Sequence, residues 1–232
     1  MKAVKTIMLT KLIKFFKLTK LAKYVYFKMH KKFTRFFWAN SWGEIWHNER
    51  DKNDFERFAE CVSDNNKNDN SRKIIEIGCG AGNFIDILSK KIEYCKKFIG
   101  IDINKKLILK NIEKYKGRNN IDFVYADIED YICKVELGDN VLFTSQNTLD
   151  YFTQDRLEFI FELIYKTFDQ VEIAVTAQKK NANLKSSTLN EEHNFTNYHH
   201  NYALLFKNSH YNVRSVDLDK DQNNFVIFAN KN

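Results

Sequence analysis

From residue 73 onward, short β-branched and aromatic runs recur along the chain: KIIEI (73–77), KFIGID (97–102), IDFVYAD (121–127), NVLFTS (140–145) and VEIAVTA (171–177). Each is bounded by turn formers and reads as a strand. Apolar positions at spacings of three and four fill the intervals near 81–93, 104–116, 153–168 and 196–209, which predicts helices there. Two further strand-like runs close the chain, YNVRSVDLD (211–219) and NNFVIFAN (223–230), with no helix between them. Strand alternating with helix predicts an α/β fold with a largely parallel sheet covered on both faces. The two adjacent final strands predict an antiparallel last pair.

Before residue 73 the period is helical. Val4, Met8, Phe15, Leu18, Ala22, Val25, Met29, Phe33 and Phe36 share one face when residues are set about 100° apart around an axis. Of the basic residues from Lys2 to Arg35, only Lys11 falls inside that stripe. Residues 41–62 predict a second helical unit. Ser41 and Glu44 form the S-x-x-E pattern in which two side chains satisfy orphan amides reciprocally, and Phe55, Phe58, Ala59 and Val62 repeat at helical spacing. Residues 63–72, SDNNKNDNSR, hold no hydrophobe and read as a surface linker. The chain thus divides into an arm (1–40), an N-terminal helix with a polar linker (41–72) and a core (73–232).

Charge sharpens that division. The 232 residues carry a formal net charge of +7, yet residues 1–43 hold eleven Lys and Arg and no acid. The remaining 26 of 37 basic residues face 30 acidic ones, a net charge of −4. The arm is therefore the basic element, and the rest is mildly acidic. No uncharged run in the arm approaches the roughly 18 residues needed to cross a bilayer, and no unbroken apolar stretch reads as a signal peptide. A basic amphipathic helix on an anionic membrane surface is the leading reading of the arm. Docking on the body or on an acidic partner, and a transit peptide, are the competing ones. Four cysteines without a C-x-x-C pair argue against a disulfide framework or zinc site and for a reducing cytoplasm.

The candidate chemistry starts where the first strand ends. Residues 76–82 read Glu76-Ile77-Gly78-Cys79-Gly80-Ala81-Gly82, after a strand and before a helix. Glycines there allow a tight turn and close approach of backbone to a ligand. The spacing is G-x-G-x-G; a dinucleotide fingerprint requires glycine where Asn83 stands, which argues against a nucleotide-linked oxidoreductase. The second strand ends in Gly100-Ile101-Asp102 and the third in Ala126-Asp127-Ile128, placing two acids at strand ends where ligands of open α/β sheets sit. Asp102 and Asp127 as helix caps are the structural alternatives.

These three motifs, E-I-G-C-G-A-G, I-D-I-N and A-D-I-E-D, resemble the class I S-adenosylmethionine (SAM)-dependent methyltransferases over roughly residues 73–230. The resemblance implies a Rossmann-like, mostly parallel seven-stranded sheet with an antiparallel last strand, and SAM as cofactor. It implies that Glu76, Gly78 and Gly80 shape the pocket for the amino-acid part of SAM. Asp102 would hold the ribose, Ile103 would pack on the adenine, and Asp127 with Ile128 would meet the adenine edge. Gly82 would let the first helix pack closely. Cys79, a small filler beside the ligand, and Ser145 complete the cofactor set.

On the acceptor side, Ser145-Gln146-Asn147-Thr148-Leu149-Asp150-Tyr151-Phe152 follows the fourth strand, and a polar stretch at 178–195 reads as a lid. The chain has no proline, which excludes the Pro-Pro-Tyr clamp used on planar exocyclic amines. A hydroxyl acceptor needs a base, and His199 or His200 is the candidate. On the predicted 196–209 helix only one of them faces the cleft. Asp150 is placed to assist, or to cap the following helix. No His, Asp or Glu spacing compels a metal. Trp46 and Arg50 either cover the SAM site or simply pack.

With so little chain beyond the core, a small-molecule, sugar or lipid-linked acceptor is expected, with oxygen as the methylated atom. The expected setting is the cytoplasm, at the inner face of a membrane if the arm binds one. An RNA methyltransferase using the arm, and a non-catalytic SAM-binding or membrane-tethered scaffold, are the alternatives.

Overall fold

The computed structural model describes residues 52–65, 71–134, 140–189, 198–218 and 224–231. The predicted arm, Ser41, Glu44, Trp46, Arg50, residues 66–70 of the 63–72 linker and the 190–195 part of the lid lie outside them, and residues 63–65, read as linker, are instead the last turn of a helix. Seven strands form one sheet: β1 (Lys73–Ile77), β2 (Lys97–Asp102), β3 (Ile121–Tyr125), β4 (Asn140–Ser145), β5 (Gln170–Gln178), β8 (Asn212–Asp217) and β9 (Asn224–Asn230). Their spatial order is β3-β2-β1-β4-β5-β9-β8. The first five pair in parallel, and β9 runs antiparallel to both β5 and β8. A separate two-residue ladder joins β6 (Thr188–Leu189) to β7 (Tyr198–His199).

Helices cover both faces, as the apolar pattern of the central strands requires. Ile75, Ile77, Val141 and Phe143 face one side, where α5 (Gln154–Thr167) and α6 (Tyr202–Asn208) bring Phe161, Ile164 and Phe206. Ile74, Phe98, Leu142 and Phe228 face the other, packed by α1 (Lys52–Asn65), α2 (Asn83–Lys91) and α3 (Lys105–Lys114) through Phe58, Phe84, Leu88 and Ile108. At the N-terminal end of the central strands, the buried Glu172 of β5 accepts from Arg72 and Arg214, both at 3.0 Å. Arg214 also donates to Asn65 at the end of α1, so one guanidinium ties α1, β5 and β8 together.

One prediction fails. Residues 196–209 are not a single helix: Tyr198 and His199 pair with Leu189 and Thr188, and α6 begins only after Asn201. Asn201 Oδ1 accepts the Leu204 N–H at 3.1 Å, the N-cap bond that starts the helix there. His199 and His200 therefore sit at the end of a strand, where neighbouring side chains alternate sides, rather than about 100° apart on a helix. His199 is half-buried and His200 is only 1 % exposed.

Candidate functional site

Strand order reverses between β1 and β4, and the loops leaving the carboxyl ends of these strands flank the crevice where ligands of such sheets bind. The glycine turn after β1 is rigidly built. Gly78 and Cys79 donate their N–H groups to the Ile101 carbonyl at 2.8 and 3.0 Å, and Gly80 donates to Asp102 Oδ2 at 2.9 Å. From α3, Asn111 Nδ2 donates to the Gly80 carbonyl at 2.8 Å. Gly78 and Gly82 both have φ of +74°, in the left-handed region that favours glycine. A Cβ on Gly78 would lie 2.2 Å from Thr148 Oγ1, and one on Gly82 would lie 2.9 Å from the Phe123 ring. Gly78 thus lets the loop after β4 close onto the turn, and Gly82 lets the start of α2 close onto β3.

Asp102 ends β2 with both carboxylate oxygens inside the turn: Oδ2 on Gly80 and Oδ1 on the Asn104 N–H at 2.7 Å. Burial raises its pKa, against the pull of the backbone amides of Asn104, Gly80 and Ile103. It does not cap α3; Asn104 does, accepting from Leu107 at 3.2 Å. Asp127 does cap a helix, the short α4 (Ile128–Ile132), through Ile128 N–H to Oδ1 at 2.9 Å. The same Oδ1 meets Arg156 from α5, which also grips Glu129 at 2.6 and 2.7 Å and lies 3.8 Å from the centroid of the Phe152 ring. Burial alone would raise the Glu129 carboxyl; the hydrogen bonds of Arg156 and Asp127, with the Arg156 charge, together outweigh it and hold the pKa down at about 2.

Ile128 is buried beside this cluster, Ile103 is half-buried, and Glu76 is buried near the end of β1. The Cys79 thiol is buried and its pKa pushed well up, first by desolvation and then by the Asp102 and Glu76 charges, the state of an inert filler and not of a nucleophile. Ser145 Oγ donates to the Ile77 carbonyl at 3.3 Å, bridging β4 to β1.

A second polar group gathers behind the 3₁₀ turn at Leu149–Tyr151. Asp150 Oδ1 accepts from Tyr202 Oη at 2.6 Å. The N-cap of α5 is Thr153, not Asp150. His200 lies between the Tyr198 and Tyr202 rings, with centroids 5.7 and 5.4 Å away. Its Nδ1 is 2.6 Å from Ser187 Oγ, and its buried Nε2 has no hydrogen-bond partner among the described residues. Burial pushes its pKa down to about 4, partly opposed by the backbone of Phe152. Among the described residues no cluster of three or more His, Cys, Asp or Glu is placed to hold a metal ion.

Residues 74–169, which carry the glycine turn and both strand-end carboxylates, match the family model of a methyltransferase domain. That stretch is similar to methyltransferase domains. No curated protein matches the chain in sequence. Solved structures share its fold. Magnesium protoporphyrin IX methyltransferase from Synechocystis PCC 6803, with bound SAM, superposes with a TM-score of 0.60 at 11% identity, over 88% of this chain and 97% of that one. A SAM-dependent methyltransferase from Aquifex aeolicus gives a TM-score of 0.60 at 18% identity, over 81% and 97%. The N-methyltransferase NodS from Bradyrhizobium japonicum WM9 gives 0.56 at 15%, over 78% and 99%.

The fold gathers the predicted cofactor residues of β1, β2 and β3 at one end of the sheet, an arrangement with room for SAM's polar groups. The crevice is bounded by a turn of left-handed glycines and a buried carboxylate at the end of β2. Sequence reasoning singled out none of Arg156, Asn111, Gln154, Ser187 and Tyr202. Asn111 carried a signal, because Leu107, Ile108 and Asn111 share the buried face of α3 and an asparagine in an apolar stripe needs a partner. Arg156 carried none, since its carboxylates lie 27 and 29 residues away.

Proposed function

We propose that the methyltransferase alkylates a hydroxyl of a small-molecule acceptor, with His200 as the base on the acceptor side. Gly78, Cys79 and Gly80 form the floor under the amino-acid part of SAM, with Glu76 behind them. Asp102 holds the ribose, Ile103 packs on the adenine, and Asp127 with Ile128 meets its edge. Ser145 keeps the β4 end of the crevice in register with β1. When bound, SAM supplies an electrophilic methyl on a sulfonium centre; the chain's own task is to align the acceptor in line, exclude water and take up the hydroxyl proton.

One observation carries this reading. His200 is an interior imidazole with Nδ1 engaged and Nε2 without a hydrogen-bond partner among the described residues, beside the Phe152 backbone and the loop that also touches the glycine turn through Thr148. A buried polar atom without a partner is rare enough to need an explanation, and an incoming hydroxyl supplies one. The lowered pKa keeps the lone pair available above about pH 4, where an unperturbed histidine loses it below about 6.5. Asp150 acts on this side through Tyr202, and His199 is the alternative base. The basic arm extends the reading: it would hold the protein at an anionic membrane surface on the cytoplasmic side, where a glycan or lipid-linked acceptor is presented.

The test is the pH dependence of kcat/KM with labelled SAM and a panel of hydroxylated small molecules. The expected acid limb lies near pH 4, and His200→Gln should lower kcat by roughly 10²–10⁴-fold with S-adenosylhomocysteine (SAH) affinity within about threefold. An acid limb near 6.5 that disappears in His199→Gln would transfer the role to His199. Turnover of amines alone would overturn oxygen as the acceptor atom.

A further inference from the structure

The lid segment before β6 is tied down by side chains that no motif singles out. Asn201 uses both ends of its amide: Oδ1 caps α6, while Nδ2 donates to the carbonyls of Ala182 at 2.6 Å and Leu184 at 3.1 Å. Gln154 does something similar from α5. Its Nε2 donates to Glu158 at 2.8 Å, which turns Oε1 toward the Ser187 N–H, also at 2.8 Å. Ser187 is therefore fixed by its backbone on one side and by the Asn201 clasp upstream. Only its hydroxyl is left to choose a partner, and that partner is His200 Nδ1 at 2.6 Å.

We propose that Ser187 is a positioning residue that accepts the Nδ1–H of His200 and so fixes the imidazole tautomer with its lone pair on Nε2, and that Asn201 and Gln154 are the clasps that hold Ser187 in reach. A neutral imidazole carries one proton, and a hydroxyl can accept from Nδ1 or donate to it; the Nδ1–H tautomer leaves a lone pair, and not an N–H, at the buried Nε2 that has no partner among the described residues. A serine on a free loop would exchange that bond with water. Here the half-buried hydroxyl faces a ring that is 1 % exposed and walled by Tyr198 and Tyr202. The inference deepens the base assignment and rests on it for its catalytic consequence. The tautomer itself can be read without turnover.

The experiment uses the full chain with SAH bound and uniform ¹⁵N labelling, with the His200 resonances assigned through His200→Gln. Long-range ¹H–¹⁵N spectra should show the Nδ1–H tautomer in the unmodified protein and a mixture in Ser187→Ala, with restoration in Ser187→Thr. In turnover, Ser187→Ala should lower kcat about tenfold while SAH affinity stays within about twofold. Asn201→Asp separates the two jobs of that side chain, because aspartate caps a helix as well as asparagine does but cannot donate. It should leave the melting temperature near that of the unmodified protein, speed tryptic cleavage at Lys185 at least fivefold, and reproduce the tautomer mixture. An Nε2–H tautomer in the unmodified protein, or no tautomer change in Ser187→Ala, overturns the proposal. If the tautomer responds as expected while His200→Gln leaves kcat unchanged, the positioning stands and the base assignment falls.

Discussion

Asp102 carries a local load, and on the proposed reading a ligand-directed one, on the same two oxygens. Its carboxylate already accepts from Gly80 and Asn104, which leaves lone pairs on both oxygens for ribose hydroxyls. The raised pKa means that the fold binds the proton more tightly than the unfolded chain does. Ionised Asp102 therefore weakens the folded state as pH rises through the folded pKa, and acidification relieves that cost. A carboxylate kept at such a position at neutral pH is better explained by a ligand than by stability. Asp102→Ala should weaken SAH binding at least tenfold in calorimetric titration, about 1.4 kcal/mol. Asp102→Asn should fall between the two, since one of its oxygens becomes a donor facing an amide N–H. Unchanged SAH affinity in Asp102→Ala would remove Asp102 from the cofactor site.

At the scale of elements, α1 tests where the fold begins. Phe58 is fully buried, stacked on Phe84 of α2 at 4.8 Å between centroids, with Ala59 and Val62 equally buried beside it. Phe58→Ala should cost about 3–4 kcal/mol in the denaturant midpoint; a loss below about 1 kcal/mol would mean that α1 unfolds independently of the sheet. The spacing of Phe55, Phe58, Ala59 and Val62 made this helix legible. Strands at 73–77, 97–102 and 140–145 were legible to the residue because polar turn formers flank short β-branched runs. The 196–209 segment was not, because its helical spacing of Tyr198, Tyr202, Leu205 and Phe206 is genuine while the competing ladder to Thr188 and Leu189 is non-local. The same division holds for the candidate site. Glycines and acids at strand ends announce themselves locally, whereas Arg156 on Asp127 and Ser187 on His200 exist only once distant segments meet.

Over the whole molecule, the arm and the rest of the chain carry opposite net charge. Every residue assigned to the cofactor lies after residue 73, on a scaffold whose four cysteines are free thiols, and no helix among the described residues is long and apolar enough to cross a membrane. A surface-bound arm would instead draw on charge, at about 1 kcal/mol for each Lys or Arg brought near an anionic leaflet, and on the apolar stripe from Val4 to Phe36. Electrostatic attachment of this kind is screened by salt, while burial of the stripe is not. The full chain should therefore co-sediment with phosphatidylserine-containing vesicles and not with neutral ones, in a manner that weakens as salt rises. Deleting residues 1–37 should abolish co-sedimentation and leave SAH affinity unchanged. If the deletion leaves vesicle binding intact, the membrane reading of the arm fails. If it instead removes a steeply salt-dependent affinity for RNA, the arm is a phosphate-binding handle and the acceptor has to be sought on nucleic acid.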